Sequence, residues 1–542
     1  MTLPAGPVAA LALPADYTIL GNVIPSALVT EGDPQPPVVA LSPQARLRHL
    51  YVLGATGSGK TNLLLRLIES DLRAGRTLCV LDLRGDLVDR ILPRLASPEE
   101  WRERLLLLDL RDEGHAVGFN PLAGEGDAYS RSLHLLDVLR RQSESWGVQI
   151  DETLRNCLLA LAETGWTLLE IEPLLSNPSF RAQVLAGVSD SLVRSFFAHH
   201  EARSSSQQLA WSLAALNKVT PLLSAPALRR VLGQRRSLPL REMLDGRPGS
   251  VILVSLAVDR FHGASRLVGG LFVSAFQNAV MARIDHKESE RVPAFLYLDE
   301  FESMATDRFE SIVAQGRRFG LGLTLSHQNL NQMPPRLKQV IRNNVHAQVF
   351  FQTGALDAAE LATEISGGEP REAVKAALMA QGIGEAFVVR RGEESCRIRT
   401  ALCPDPEVSS GQVAALRQVA LNTYARSREQ VEAELLGRER AREALSRLDE
   451  PYSAPGKRSA SRQALAKAGL PLPVSRATEH LTEHLEEAEA TSSAASEAAP
   501  APDSPAPPQP APPSYVIRHS KPHSFKPRLP GGGSSGDREG GS

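Results

Sequence analysis

The chain has 542 residues, 60 of them basic and 62 acidic, for a formal net charge of -2. That length calls for more than one simple domain. The balanced charge argues against a protein that coats nucleic acid, though not against a ring that needs only a few basic groups along a pore.

The first twenty residues, MTLPAGPVAALALPADYTIL, have no basic leading region and are interrupted by Pro4, Pro7, Pro14 and Asp16. They read as neither a signal peptide nor a membrane span. No other uncharged apolar run is long enough to cross a bilayer, so no transmembrane segment and a cytoplasmic location are expected. The cysteines, Cys79, Cys157, Cys396 and Cys403, form no CxxC pair and no zinc spacing, which suits a reducing compartment.

Residues 1–45 read as an entry segment, with VVAL just before a basic cluster, ARLRH. LYVLG, from Leu50, predicts a buried strand. TNLLLRLIESDLRAG predicts a helix that ends on Gly75, and RTLCVLDLRGDL and RLLLLDL predict further strands. Short continuous apolar runs alternating with helices predict a parallel sheet covered on both faces. From 119 to 246 strand-like runs vanish, and an all-helical insertion is expected. There Leu154, Cys157, Leu158 and Leu161 share one helix face, and Gly165 sits where a C-cap belongs.

Strands resume with SVILVSLA, AFLYLDE, LGLTLSHQ and HAQVFFQ, followed by EAFVVRR and SCRIRTAL as a hairpin. The α/β core is thus expected over 46–118 and 247–405. Residues 406–449 read as a charged helical segment. The Pro-, Ala- and Ser-rich stretch 450–542 is expected to be a disordered tail, with one short acidic helix at ATEHLTEHLEEAEA.

Three motifs carry chemistry. Gly54-Ala55-Thr56-Gly57-Ser58-Gly59-Lys60-Thr61, followed by Asn62, fits G-x-x-x-x-G-K-[ST]. The glycines let backbone N–H groups converge on phosphate oxygens, and the next helix adds its positive end. Lys60 would reach the β- and γ-phosphates of ATP, and the Thr61 hydroxyl would bind Mg²⁺. An ordinary glycine turn is the bland alternative, but the placement after a strand and before a helix favours phosphate.

AFLYLDEFE ends a strand on two carboxylates. Asp299 would hold Mg²⁺, and Glu300 would orient and deprotonate the attacking water. In QGRRFGLGLTLSHQ, Gln328 closes a buried strand, where an amide can sense the γ-phosphate. Arg317 and Arg318 precede that strand. One of them can serve as an arginine finger on a neighbouring subunit, or both can be plain surface arginines; the residues alone leave both readings open. Asp82-Leu-Arg-Gly-Asp86-Leu is another acidic strand-end turn, able to touch nucleotide or only to cap the sheet. His49 and His327 lie near the predicted site and read as structural.

HLYVLGATGSGKTNLL, DLRGDL, GFNPL, the helical insertion, FLYLDEFE, GRRFGLGLTLSHQ and IRNNVHAQVFFQTG occur in an order that resembles the FtsK–HerA superfamily of P-loop motors. The likeness is nearest to TraD/TraG-type coupling ATPases of conjugation and type IV secretion and to HerA-like DNA pumps, over roughly residues 17–405. It implies a RecA-like ATPase that forms a homo-hexameric ring and threads DNA through its pore. Carried over by motif, it implies Lys60, Glu300, Gln328 and Arg317 as catalytic, Arg318 being the alternative finger, and Thr61 and Asp299 as metal ligands. A relaxosome, a secretion channel or a nuclease is the implied partner. Three departures stand out: the transmembrane helices of membrane-bound coupling proteins are not seen, residues 1–45 are too short for the N-terminal β-barrel of HerA-like pumps, and DLRGDL replaces a more usual D-P-x-G-D. A reading from another class is an ATPase adaptor that delivers a protein substrate, with the tail as bait.

Overall fold

The computed structural model describes residues 14, 16–24, 37–97, 99–305, 309–365 and 370–448. The expected tail at 450–542, its acidic helix and most of the N-terminal run lie outside the described residues.

The strands are β1 (Thr18–Val23), β2 (Val38–Leu41), β3 (Leu50–Leu53), β4 (Thr77–Asp82), β5 (Leu105–Asp109), β6 (His115–Val117), β7 (Val251–Ser255), β8 (Ala294–Leu298), β9 (Leu321–His327), β10 (Ala347–Phe350), β11 (Glu385–Arg390), β12 (Cys396–Arg399) and β13 (Ala425–Ser427). Eleven form one sheet in the order β2-β1-β12-β11-β10-β3-β9-β8-β4-β7-β5. From β10 to β5 every pairing is parallel. From β10 to β2 every pairing is antiparallel. This is the expected α/β architecture with a mostly parallel sheet.

β3, β4, β7 and β8 are buried along their whole length because helices cover both faces. Their side chains alternate with period two. Tyr51, Leu53, Leu81, Leu106 and Leu296 face one apolar cluster, and Leu50, Val52, Val80, Leu105 and Tyr297 the other. The second cluster takes in Leu63, Leu64, Leu67 and Ile68 of the helix Lys60–Arg73 and Ile91 and Leu92 of the helix Asp86–Ala96. Each fully buried leucine contributes roughly 1.5–3 kcal/mol. This layer, rather than helix propensity, therefore anchors the glycine-rich turn that precedes the helix.

Between β6 and β7 the described chain is helical, with long helices at Ala128–Arg141, Val148–Glu163 and Ser205–Leu223. Its Leu135, Leu136 and Leu158 belong to the same cluster as Leu106 and Leu108 of β5, so the helical part and the sheet share a core.

Two features differ from the sequence expectations. β1 and β2 join the sheet: β1 pairs with β12 and covers an edge that would otherwise present unpaired backbone groups. The charged helical segment is two helices, Ser410–Tyr424 and Arg428–Leu448, split by β13, which pairs with β6. Arg46 of ARLRH is buried. It is 1% exposed, donates to Asp71 at 3.1 Å and to the Tyr297 hydroxyl at 2.9 Å, and lies 4.7 Å from the Phe295 ring centroid.

One helix region, Gly263–Asp285, is long and apolar enough to cross a membrane by length and composition, but 67% of that window is buried in the fold. Its Val268, Leu271 and Phe272 lie in the cluster beneath the sheet, where an apolar helix serves as core.

Candidate functional site

Because the central strands run parallel, their C-terminal ends share one edge of the sheet, where crevices for ligands form. The turn after β3 carries the glycine-rich loop, the turn after β8 carries Asp299 and Glu300, and β9 ends at His327 beside Gln328. The sheet thereby gathers segments about 240 to 270 residues apart.

The loop is shaped by its glycines. A Cβ on Gly54 would sit 2.6 Å from the Phe351 Cβ and 2.7 Å from the Ser58 Oγ, so only glycine lets the loop pass between them. Gly59 adopts φ +119° and opens the helix Lys60–Arg73, leaving the first-turn N–H groups without a side-chain cap. Nothing lies within 4 Å of the Cβ position of Gly57. Lys60 reaches back across the loop and donates from Nζ to the carbonyls of Gly54 at 2.6 Å and Ala55 at 3.0 Å. Burial lowers the pKa of this lysine, against the pull of Asp299, Glu300 and Glu302.

The acidic turn is joined to the loop by hydrogen bonds. Gln328 Nε2 donates to Glu300 Oε1 at 2.7 Å, and Thr56 Oγ1 donates to Gln328 Oε1 at 3.1 Å. One amide thus spans the loop and the carboxylate. Glu300 holds φ +52°, which turns the chain sharply after Asp299. Burial raises the Glu300 pKa and Asp299 adds to this, while Arg84 and Arg266 oppose it.

Asp299 is half-buried and the Thr61 side of the helix is exposed. Among the described residues no group of three or more His, Cys, Asp or Glu side chains is arranged to hold a metal ion. That donor set suits Mg²⁺, which takes one or two protein oxygens and fills its octahedron with phosphate and water, and it does not suit a dedicated protein cage.

Other predicted residues lie elsewhere. Asn62 turns its side chain away from the loop: its Nδ2 donates to the Ala401 carbonyl at 2.9 Å and its Oδ1 accepts from the Cys403 N–H at 2.8 Å. It latches the chain after β12 onto the loop helix. Asp82 accepts from the N–H groups of Arg84, Leu87 and Val88 at 3.0, 2.8 and 3.1 Å and so caps the helix Asp86–Ala96. His49 lies at the opposite edge, at the start of β3, where it accepts from the Leu323 N–H and contacts the Val313 carbonyl, each at 3.0 Å.

Arg317 and Arg318 are exposed in the turn before β9. β9 has seven residues, so they stand roughly 23 Å along the sheet from Gln328. Neither can act on the loop of its own chain.

The sequence reading missed Arg84 and Glu302 and took His327, near the predicted site, as structural. Arg84, inside DLRGDL, brings its Nε to 3.9 Å from Glu300 Oε1. Glu302 and His327 face each other behind Glu300 and Gln328, with Oε2 and Nε2 3.5 Å apart. An arginine two residues past a strand end was the only signal for the first. The second pair depends on β8 lying beside β9, which no spacing in the chain announces.

Residues 35–129 match the family model for the type IV secretion-system coupling protein DNA-binding domain. No curated protein sequence is a significant match to the chain. Among solved structures, the bacterial conjugative coupling protein TrwBdeltaN70 in its unbound monoclinic form is 18% identical with a TM-score of 0.50, covering 68% of this chain and 87% of that one. The plasmid coupling protein TrwB in complex with ADP and Mg²⁺ is 19% identical with a TM-score of 0.50, covering 72% and 96%. These likenesses show a RecA-like P-loop fold. With the family match, they bear out the resemblance to coupling-type ATPases of the FtsK–HerA superfamily.

Proposed function

We propose that this protein is a coupling-type ATPase that hydrolyses ATP to move DNA through a homo-hexameric ring in the cytoplasm, at a conjugation or type IV secretion complex. The observation that carries it is the hydrogen-bonded chain from Thr56 through Gln328 to Glu300, which ties a phosphate loop to a carboxylate. The coupling-protein family match over 35–129 supports DNA as the partner. A relaxosome, a secretion channel or a nuclease would complete the system.

In this reading the loop N–H groups from Gly54 to Thr61 hold the phosphates and Lys60 leaves the loop carbonyls for the β- and γ-oxygens. Thr61 and Asp299 are the protein's oxygens for Mg²⁺, which when bound neutralises phosphate charge. Glu300 has Oε1 engaged by Gln328, so Oε2 is the oxygen that takes the proton from the attacking water. Its raised pKa makes it a better proton acceptor than a solvated glutamate. Arg317, at the far edge of its own sheet, serves the site of the next subunit.

The test is phosphate release with and without single- and double-stranded DNA, for wild type and Glu300→Gln. Stimulation by DNA that is abolished in the variant is the expected outcome. Activity that depends on Glu300 but ignores DNA of any kind would overturn translocation and leave the protein-delivering ATPase.

A further inference from the structure

The turns after β8 and β9 meet twice. The front contact is Gln328 on Glu300. Behind it lie His327, fully buried, and Glu302, with a side chain 11% exposed. His327 Nε2 and Glu302 Oε2 are 3.5 Å apart, and neither atom has a hydrogen-bond partner. Leaving two buried polar atoms unpaired is costly, so the physical pressure is to close this gap. Hydrogen bonds in catalytic sites are often long without ligand and tighten in the complex.

The imidazole is held from its other side. His327 Nδ1 lies 3.4 Å from the Tyr51 hydroxyl, and the Phe301 ring meets it edge-on at 5.6 Å. It therefore has little freedom except along the line to Glu302. Glu302 sits two residues from Glu300, and His327 is the neighbour of Gln328, so one bridge fixes the spacing of the other.

We propose that His327 and Glu302 are positioning residues: their bridge closes when nucleotide fills the loop and sets the Gln328 amide against Glu300. The inference rests on the hydrolytic reading of Glu300 and Gln328. Burial pushes Glu302 up to about 7 and His327 down to about 4. Below pH 7 the pair is thus an acid–imidazole pair sharing one proton, not an ion pair. The charged and titratable groups facing it are Tyr51, Lys60, Arg266, Asp299, Glu300 and Lys338. Above pH 7 the Glu302 carboxylate adds a charge that repels Glu300.

The experiment measures kcat, KM and ADP affinity from pH 5.5 to 9 for wild type, Glu302→Gln, Glu302→Leu, His327→Phe and Glu300→Gln, with melting curves for each. Glu302→Gln keeps a neutral bridge, so kcat at pH 7 stays within about threefold and the wild-type limb near pH 7 disappears. Glu302→Leu and His327→Phe lower kcat about tenfold or more, a loss of roughly 1.4 kcal/mol of transition-state stabilisation, with ADP affinity unchanged. A packing role alone predicts lower melting temperatures with an unaltered pH profile. That result, or equal kcat in Glu302→Gln and Glu302→Leu, overturns the proposal. Full activity in Glu300→Gln would instead overturn the hydrolytic reading beneath it.

Discussion

Replacing Gln328 by alanine isolates the contribution of the central amide. The side chain makes two hydrogen bonds in the structure, one to Glu300 at 2.7 Å and one from Thr56 at 3.1 Å. The first goes to a carboxylate and is charge-assisted, worth roughly 1.5–3 kcal/mol; the second is neutral and worth about 0.5–1.5 kcal/mol. Gln328 is partly exposed, so water replaces some of what is lost. A loss of about 2 kcal/mol in orienting Glu300 lowers kcat roughly 30-fold. Thr56→Val removes only the weaker bond and lowers kcat about two- to tenfold. Neither substitution touches the loop N–H groups or Lys60, so ADP affinity by calorimetry stays within about twofold. Steady-state phosphate release on both variants decides the matter. A Gln328→Ala enzyme with wild-type kcat, or a larger loss in Thr56→Val than in Gln328→Ala, would refute the chain of bonds as the source of activity.

Asp71→Ala leaves Arg46 buried without its carboxylate and is expected to cost about 3–5 kcal/mol, read as a lowered urea midpoint with unchanged slope. His49, pushed down to about 4 by burial, contributes stability that is complete above its unfolded value near 6.5 and is lost as pH falls toward 4. His49→Asn, which also tolerates the positive φ at this position, should flatten the decline of melting temperature between pH 6.5 and 4. Arg317→Ala and Glu300→Gln are each expected to be inactive, yet mixing the two should restore part of the activity, because one subunit supplies the carboxylate and its neighbour the arginine. Arg318→Ala is expected to lose less.

The parallel core was legible because its strands are short unbroken apolar runs, LYVL, LLLLD, VILVS and AFLYL, a pattern that only burial on both faces sustains. The glycine-rich loop was equally legible, since its constraint is local: turn, phosphate N–H groups and helix start lie within nine residues. Local chemistry also put Asp299, Glu300 and Gln328 at strand ends. Strand order was not in the sequence. β9 inserts between β3 and β8, and only that adjacency lets Gln328 touch both Thr56 and Glu300 and brings His327 to Glu302. The burial of Arg46 was not legible because its partners, Asp71 and Tyr297, are 25 and 251 residues away. The side-chain partners of Asn62, Ala401 and Cys403, lie more than 330 residues on, beyond any local signal. The sequence by itself determined which segments become the parallel strands of the core and which turns can meet a phosphate, because those depend on neighbours within a few residues. Which turns face one another, and hence which side chains can share a proton or hold a carboxylate in place, was decided only when the sheet closed its long-range pairings.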